Sequence, residues 1–212
     1  MSVINFAQHE AQIKVVYYGP ALAGKTTSLQ YIAKRLGVEV TDMPTAGDRT
    51  VHFEYAPIMQ KLGALNVKFN FWTLPGQPRY AKTRSLVLRG ADGIVYVADS
   101  QYDVAEENLR MLVDLQEKLE EDGQALEGLS NQTDRLVPII LFYNKRDLKE
   151  VMPIGYLDTM FNLESWGAPR LAGSALIGEN VVRAADTISS LLMRKLATRL
   201  GLEEDDEEAI RE

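Results

Sequence analysis

Apolar runs that fit buried strands alternate along this chain with amphipathic runs that fit helices. The strand patterns are short apolar or alternating runs, and they cover residues 13–18, 51–56, 67–73, 93–98, 137–143 and, more weakly, 170–172. The helical patterns repeat apolar residues every three or four positions and cover residues 26–36, 104–119 and 181–200. This alternation predicts an α/β fold with a mostly parallel central sheet and helices on both faces.

The segments between these elements predict one hairpin and two irregular regions. Residues 51–56 and 67–73 are separated by a turn region around Gly63, so we expect them to pair as an antiparallel hairpin at the edge of the sheet. Residues 38–50 predict an exposed loop, and residues 123–135 predict a polar excursion before the next strand. In such a fold a ligand binds at the carboxyl ends of the strands, and those ends carry the motifs described next.

The first motif is a loop that joins the first strand pattern to the first helical pattern. Its residues are Gly19-Pro20-Ala21-Leu22-Ala23-Gly24-Lys25-Thr26, and Thr27 follows. Two glycines let the loop curl so that backbone N–H groups converge on phosphates, and the helix adds its positive end. Lys25 would bridge the β- and γ-phosphates, and the Thr26 hydroxyl would bind Mg²⁺. The alternative is a glycine turn that only caps a helix, but the preceding strand pattern favours phosphate binding.

The second motif can read a guanine base. It follows the strand pattern at residues 137–143 and reads Asn144-Lys145-Arg146-Asp147. Guanine offers an N1–H and an N2 amino group as donors, so one carboxylate, that of Asp147, would accept both bonds and discriminate against adenine. Asn144 can tie this motif to the phosphate loop, and the aliphatic stem of Lys145 can lie along the base. Taken alone the tetrapeptide is also compatible with a polar turn, but its place after a phosphate loop favours guanine recognition.

Two segments between these motifs could sense a γ-phosphate. Gly76 follows the strand pattern at 67–73 and can bring its backbone N–H to the terminal phosphate, and Gln77 could hold the attacking water. Upstream, Thr50 could complete the magnesium shell and Arg49 could neutralise charge on the transferring phosphoryl group. The alternative for both Gln77 and Arg49 is a solvated loop side chain.

A third segment near the end of the chain could complete the base site. Gly173-Ser174-Ala175-Leu176 follows the weak strand pattern at residues 170–172. Backbone N–H groups of Ser174 and Ala175 would bond the carbonyl oxygen of guanine, an acceptor that adenine lacks, with Leu176 completing the segment. Alone, the segment is also compatible with a simple turn of small residues.

Charge is concentrated at the end of the chain. The net charge of the 212 residues is −7, and the last ten contain seven acids and one base, so the remainder is close to neutral. Nothing suggests nucleic-acid binding through a basic surface. Residues 203–212 are predicted to form a disordered, solvated acidic tail, with an interaction tail as the alternative.

The composition also bears on anchoring and compartment. Cysteine is absent and Ser2 stands where myristoylation needs glycine, so we expect no disulfide, no thiol chemistry and no lipid anchor. No apolar segment is long enough to predict an integral membrane helix or a secretion signal. A cytoplasmic protein is expected.

With these motifs in place, the chain resembles a Ras-superfamily small GTPase, most closely the bacterial MglA-like group. The resemblance covers residues from about 1 to 200 and extends beyond the generic nucleotide motifs. It is carried by Ile4-Asn5-Phe6, Lys14-Val15-Val16-Tyr17-Tyr18-Gly19-Pro20, Gly24-Lys25-Thr26-Thr27, Leu29-Gln30-Tyr31-Ile32, Asp48-Arg49-Thr50, Pro75-Gly76-Gln77, Val97-Ala98-Asp99-Ser100-Gln101 and Tyr143-Asn144-Lys145-Arg146-Asp147-Leu148. It implies the three-layer P-loop NTPase fold of small GTPases over residues 1–202.

One position departs from the wider superfamily. Thr73 stands where most small GTPases have an aspartate that holds magnesium through water, and a threonine there is similar to the MglA-like group. A neutral hydroxyl in place of a carboxylate leaves magnesium coordination open. The loop before Asp48 looks shorter than in well-known members and residues 121–135 look extended, so the identity of partners is open too.

The resemblance implies a GTP/GDP switch that hydrolyses GTP with Mg²⁺ and recruits effectors in bacterial cell polarity or motility. It assigns Arg49 as an internal arginine finger and Gln77 as the residue that positions water. It also implies a roadblock-fold GTPase-activating partner, without which hydrolysis is slow. Two alternatives stay open at this point: a GTP-binding scaffold with negligible hydrolysis, and an ATP-dependent kinase or motor.

Overall fold

In this computed structural model the described residues are 3–45, 48–74, 81–127 and 135–202. They contain ten strands and six α-helices, with two 3₁₀ turns at Phe6–Gln8 and Tyr102–Val104. The strands are β1 Val3–Asn5, β2 Glu10–Tyr18, β3 Thr41–Thr45, β4 Asp48–Leu62, β5 Leu65–Thr73, β6 Gly93–Asp99, β7 Ala125–Leu126, β8 Leu136–Val137, β9 Ile139–Asn144 and β10 Arg170–Ala172. The helices are α1 Lys25–Leu36, α2 Ala81–Leu88, α3 Ala105–Glu121, α4 Ile154–Met160, α5 Leu163–Trp166 and α6 Val181–Leu200.

One large sheet organises these elements, in the order β10-β9-β6-β2-β5-β4-β3, with β1 pairing antiparallel to the start of β2. The strands from β10 to β5 are parallel, and β4 and β3 continue the sheet antiparallel at one edge. The predicted α/β fold is therefore confirmed, and the predicted hairpin is the β4–β5 pair. Because the parallel strands share one direction, β2, β6 and β9 end at the same edge of the sheet.

The sheet separates two hydrophobic cores. Every residue of β6 and of β9 is buried, as expected for strands covered on both faces. Along β2, Val15 and Tyr17 pack into the core beneath α1 and α6, whereas Val16 and Tyr18 pack into the core beneath α2, α3, α4 and α5. Alternate side chains of one strand thus reach opposite faces, which fixes the register of β2 in the middle of the sheet.

The structure corrects the prediction for residues 38–50. This stretch was expected to be an exposed loop, but it contains β3 and the first residues of β4, with Thr41 opposite Tyr55. Pro44 argued against a strand because it cannot donate a ladder hydrogen bond. β3 is an edge strand, where one row of backbone groups needs no partner, so proline is tolerated there.

The predicted polar excursion at residues 123–135 is also partly wrong. Ala125 and Leu126 are buried and form β7, which pairs in parallel with β8. Two apolar residues carry too little periodicity to predict a strand, and their pairing depends on Leu136 and Val137, eleven positions later. Residues 128–134 of this stretch, and the tail at 203–212, lie outside the described residues.

Several short elements had no counterpart in the sequence prediction, namely β1, α2, α4 and α5. Helices of four to eight residues span too few turns to show a helical apolar period. In the part of the chain that the structure describes, no helix is both long and apolar enough to cross a membrane.

Candidate functional site

The loop after β2 is shaped by two glycines that admit no side chain. Gly19 has φ +136°, and a Cβ there would collide with the carbonyl oxygen of Val97 on β6. Gly24 has φ +99° at the start of α1, and a Cβ there would collide with the side-chain amide of Asn144. Both positions combine a backbone conformation that favours glycine with close packing, so the loop lies directly on β6 and β9.

Lys25 closes over this loop. Its side chain is only 6% exposed, and its Nζ donates to the carbonyl oxygens of Gly19, at 2.9 Å, and Pro20, at 2.5 Å. Burial, together with the nearby charge of Arg84, lowers the pKa of Lys25 to about 7. A cation in such a desolvated position gains from a polyanion, so this residue fits a phosphate ligand.

The start of α1 lies next to Lys25. Thr26 and Thr27 are exposed in the first helical turn, where backbone N–H groups have no partner within the helix. Ala21 and Leu22 form the outer part of the loop, with the Leu22 side chain 87% exposed, whereas Ala23 is buried. The predicted phosphate-binding residues are therefore gathered in one loop and helix start, with a dipole that favours anions.

Asn144, at the end of β9, joins the predicted phosphate and base segments. Its Nδ2 donates to the carbonyl oxygen of Ala23 at 2.6 Å, and its Oδ1 accepts from the backbone N–H of Ala175 at 2.7 Å. Asn144 is only 2% exposed. The sequence prediction that Asn144 ties its motif to the phosphate loop agrees with this geometry.

Lys145 lies beside a buried carboxylate on the neighbouring strand. Its Nζ is 2.6 Å from Oδ2 of Asp99, the last residue of β6, and Gln101 also donates to that carboxylate. The Lys145 backbone has φ +66°, an uncommon conformation for a residue with a side chain. The ion pair fixes the aliphatic stem at the edge of the sheet, while Asp147 is exposed two residues later.

The turn after β10 is held by bonds within the protein. The backbone N–H of Ser174 donates to the carbonyl oxygen of Glu179 at 3.1 Å, and that of Ala175 donates to Asn144. A guanine oxygen would have to compete for these two amides, which sequence reasoning did not anticipate. Leu176 is 75% exposed and lies beyond them in the same turn.

A carboxylate that sequence reasoning missed lies beside Thr73. The Thr73 hydroxyl donates to Oε2 of Glu54 at 3.1 Å, and Gln30 of α1 donates to Oε1 at 2.9 Å. β4 pairs with β5 at Tyr55 opposite Trp72, so Glu54 and Thr73 are neighbours across the two strands. The sequence did contain one indication of this role, because Glu54 is a charged residue inside the apolar strand pattern 51–56.

The remaining predicted site residues cannot be placed. Gly76 and Gln77 lie outside the described residues. Arg49 and Thr50 belong to the backbone of β4, but their side chains are not described. Their roles stay predictions.

Comparison with known proteins adds an independent line of support. The model of the ADP-ribosylation factor family matches residues 1–192 of this chain. The mutual gliding-motility protein MglA of Myxococcus xanthus (strain DK1622) is 33% identical over 201 residues, covering 92% of this chain and 98% of that protein. The Ras-related proteins RABA2a and RABA5a of Arabidopsis thaliana are 26% and 25% identical, each covering 91% of this chain and 80% of its own length. These matches confirm the resemblance drawn from the motifs.

Proposed function

Because the chain belongs to the ADP-ribosylation factor family of small GTPases, we propose that it binds GTP and GDP, hydrolyses GTP and acts as a molecular switch. The observation that carries this proposal is the Asn144 bridge, which joins the Lys25 loop to the turn at Ala175. The segments proposed to bind the phosphates and the base are far apart in sequence, and this bridge supports their belonging to one site. A desolvated Lys25 within that site supports a phosphate ligand.

Base selectivity would come from the exposed carboxylate of Asp147. A carboxylate accepts hydrogen bonds only, which suits the two adjacent donors of guanine. The Lys145–Asp99 ion pair would hold the Lys145 stem as a flat apolar surface against the base.

Magnesium would be held by few protein ligands. Thr26 and Thr50 are the proposed direct ligands of Mg²⁺. Thr73 has no carboxylate of its own, but Glu54, to which it is hydrogen-bonded, has one and would contact Mg²⁺ through a water molecule. When bound, Mg²⁺ would neutralise charge on the phosphates. The residues present therefore fit the metal.

Hydrolysis is proposed to depend on Gln77 and Arg49. Gln77 would orient the attacking water, and Arg49 would stabilise charge that develops on the transferring phosphoryl group. We expect hydrolysis to be slow until a partner, proposed to be a roadblock-fold protein, arranges these two segments. Loss of contacts from the γ-phosphate to Thr50 and Gly76 would then release them, which is the switch.

The cellular role is proposed by analogy with the relative whose name records gliding motility. On that basis the GTP form would recruit effectors in cell polarity or motility, from a cytoplasmic location. The alternative is a GTP-binding scaffold with negligible hydrolysis, favoured by the absence of an acid at position 73 and by the proline at position 75.

Hydrolysis is tested by single-turnover release of phosphate from pre-bound GTP, for the wild-type chain and for Gln77→Leu. We expect Gln77→Leu to bind GTP with unchanged affinity and to hydrolyse it at least about tenfold more slowly, because one water-orienting group is lost. Equal rates in the two proteins would contradict the role of Gln77. No phosphate release from the wild type, even with a roadblock-fold protein added, would favour the scaffold.

The base side is tested by Asp147→Asn. An amide offers both a donor and an acceptor, so this variant should lose affinity for GDP and gain affinity for xanthosine diphosphate, whose base has an acceptor where guanine has its amino group. Competition between the two nucleotides measures the change. Unaltered preference for GDP would rule out Asp147 as the reader of the base.

A further inference from the structure

A cavity of about 380 Å³ lies at the end of the sheet opposite the nucleotide motifs. It is bounded by the early part of β2, the residues just before β6, β8 and the last turns of α6. Its apolar wall consists of Ile13, Ala91, Leu136, Val137, Leu192 and Leu196. Since β6 is seven residues long, the cavity is separated from the base and phosphate segments by about 23 Å. It therefore forms no part of the site described above.

Positive charge surrounds this apolar wall. Among the described residues that line the cavity, Arg135, Lys195 and Arg199 are cationic and Asp92 is acidic. Asp92 already accepts a hydrogen bond from the backbone N–H of Lys14 at 2.9 Å. The field at the cavity thus favours a ligand that combines an apolar group with flanking negative charges.

A buried amide in the cavity wall further restricts the class of ligand that fits. Gln124 is 5% exposed, and its Nε2 donates to the carbonyl oxygen of Ala91 at 3.0 Å. That bond fixes which end of the amide is the oxygen, and among the described residues this oxygen, Oε1, has no hydrogen-bond partner. Buried acceptors of this kind are normally satisfied by a donor. The carboxylate of an ionised fatty acid offers no donor, whereas a peptide backbone does.

We propose that the chain's own acidic segment, residues 203–212, docks in this cavity with Ile210 against the apolar wall. The segment contains seven acids around the apolar pair Ala209-Ile210, which matches the wall and its cations. A backbone N–H of the segment would satisfy Gln124, and acids on either side of Ile210 would lie near Lys195 and its neighbours.

The segment is attached close to the cavity. It follows α6, whose last residue, Leu200, lies four residues, or about 6 Å along the helix, after Leu196 in the cavity wall. Ile210 is eight positions after Leu202, and an extended chain of that length reaches up to about 26 Å. A short tether keeps the local concentration in the millimolar range, so weak contacts are enough for the segment to occupy the cavity.

The test uses the full chain with one spin label. Because the chain has no cysteine, Glu207→Cys creates a unique attachment site next to Ile210. Docking predicts that amide NMR signals of residues around the cavity, such as Gln124, Leu136 and Leu196, lose intensity selectively. Added unlabelled peptide of residues 203–212 should restore them, and raised salt should weaken the effect.

Two variants and a control make the result decisive. Ile210→Asp and Lys195→Glu should each remove the selective loss, whereas Lys149→Glu, an exposed lysine far from the cavity, should leave it unchanged. In a competition assay the Ile210→Asp peptide should bind at least about tenfold more weakly, from the apolar contact alone. Uniform or absent signal loss would overturn the proposal, as would selective loss that Ile210→Asp leaves intact. Binding of an anionic detergent to the cavity while the tethered segment produces no loss would also overturn it.

Discussion

Lys25 holds its positive charge in a place where water screens it little. Burial lowers its pKa to about 7, so between that value and the ordinary lysine pKa of 10.5 the folded chain binds fewer protons than the unfolded chain. Across that window the contribution of Lys25 to stability therefore rises with pH. A polyphosphate favours the charged form and reverses the shift.

Nucleotide binding should therefore take up a proton in mildly alkaline solution. At about pH 8.5 we expect GDP binding to the nucleotide-free protein to take up close to one proton, because a neutral Lys25 becomes an ammonium group. Calorimetry in buffers of different ionisation enthalpy measures this uptake. Lys25→Arg is the matched control, since a guanidinium stays charged and should show none. Equal proton uptake by the wild type and by Lys25→Arg would show that a group other than Lys25 takes up the proton.

Glu54 should matter to magnesium more than to the nucleotide. Glu54→Gln keeps the shape and removes the negative charge, and it replaces one of the two oxygens that accept from Thr73 and Gln30 by an amino group. We expect the magnesium concentration needed to slow GDP release to rise about tenfold or more, as for other groups that contact a metal through water. Release of a fluorescent GDP analogue across a magnesium titration measures this, with Glu106→Gln on the exposed face of α3 as control. Identical titrations would exclude Glu54 from the metal site.

At the residue scale the sequence predicted what the local motif determines. Gly19, Gly24 and Lys25 are recognisable because their spacing alone predicts a phosphate-binding loop. Glu54 was missed because its role depends on which strand lies beside β4. The N–H groups of Ser174 and Ala175 were assigned to the base because their bonds within the protein depend on a turn that the sequence does not show.

At the scale of elements, α2 is tied to its neighbours through Arg84. This side chain is 4% exposed, and its Nε lies 3.0 Å from Oδ2 of Asp114 on α3. The hydroxyl of Tyr18, the residue before Gly19, donates to the same carboxylate. Burial alone would raise the pKa of Asp114, but bonds from Tyr18 and Arg84 and the charges of Arg84 and Lys118 outweigh it and lower that pKa.

Neutralising Asp114 should loosen this connection. We expect Asp114→Asn to lower the free energy of unfolding by about 1 to 2 kcal/mol, because the buried Arg84 loses its ion pair with Asp114. Since the pKa of Asp114 is lowered, the stabilisation is present above the ordinary carboxyl pKa and is lost as pH falls through the lowered value. Urea unfolding at neutral and at acidic pH measures both the loss of stability and its dependence on pH. Glu117→Gln, at an exposed position on the same helix, is the control. A variant as stable as wild type at neutral pH would show that the ion pair contributes nothing.

Prediction of elements succeeded where the apolar pattern is long. The final helix was predicted over its full length because its apolar stripe, which includes Val181, Ala184, Ile188 and Leu192, repeats over about four turns. β3 was missed because an edge strand buries little and so lacks an apolar signal. β7 was missed because its two residues are held by pairing with β8 and by packing on α3.

At the scale of the whole molecule, the sheet has two chemically distinct ends. The carboxyl ends of β2, β6 and β9 carry the Lys25 loop, Asp99 and Asn144, while the opposite end carries the cationic cavity. The sequence predicted the first end because parallel strands bring motifs far apart in the chain to one edge. The sequence could not predict the cavity, because its wall combines residues of β2, β8 and α6 with residues of connecting segments, and these share no sequence pattern.

The Asn144 side chain makes the two halves of the nucleotide site mechanically dependent on each other. One amide bonds both Ala23 and Ala175, so a displacement of either segment costs a buried hydrogen bond on the other side as well. Under the proposed function, we therefore expect the two segments to open together when nucleotide is exchanged. A protein that pulls on the Ala175 turn alone would then also loosen the Lys25 loop, without reaching into that loop itself.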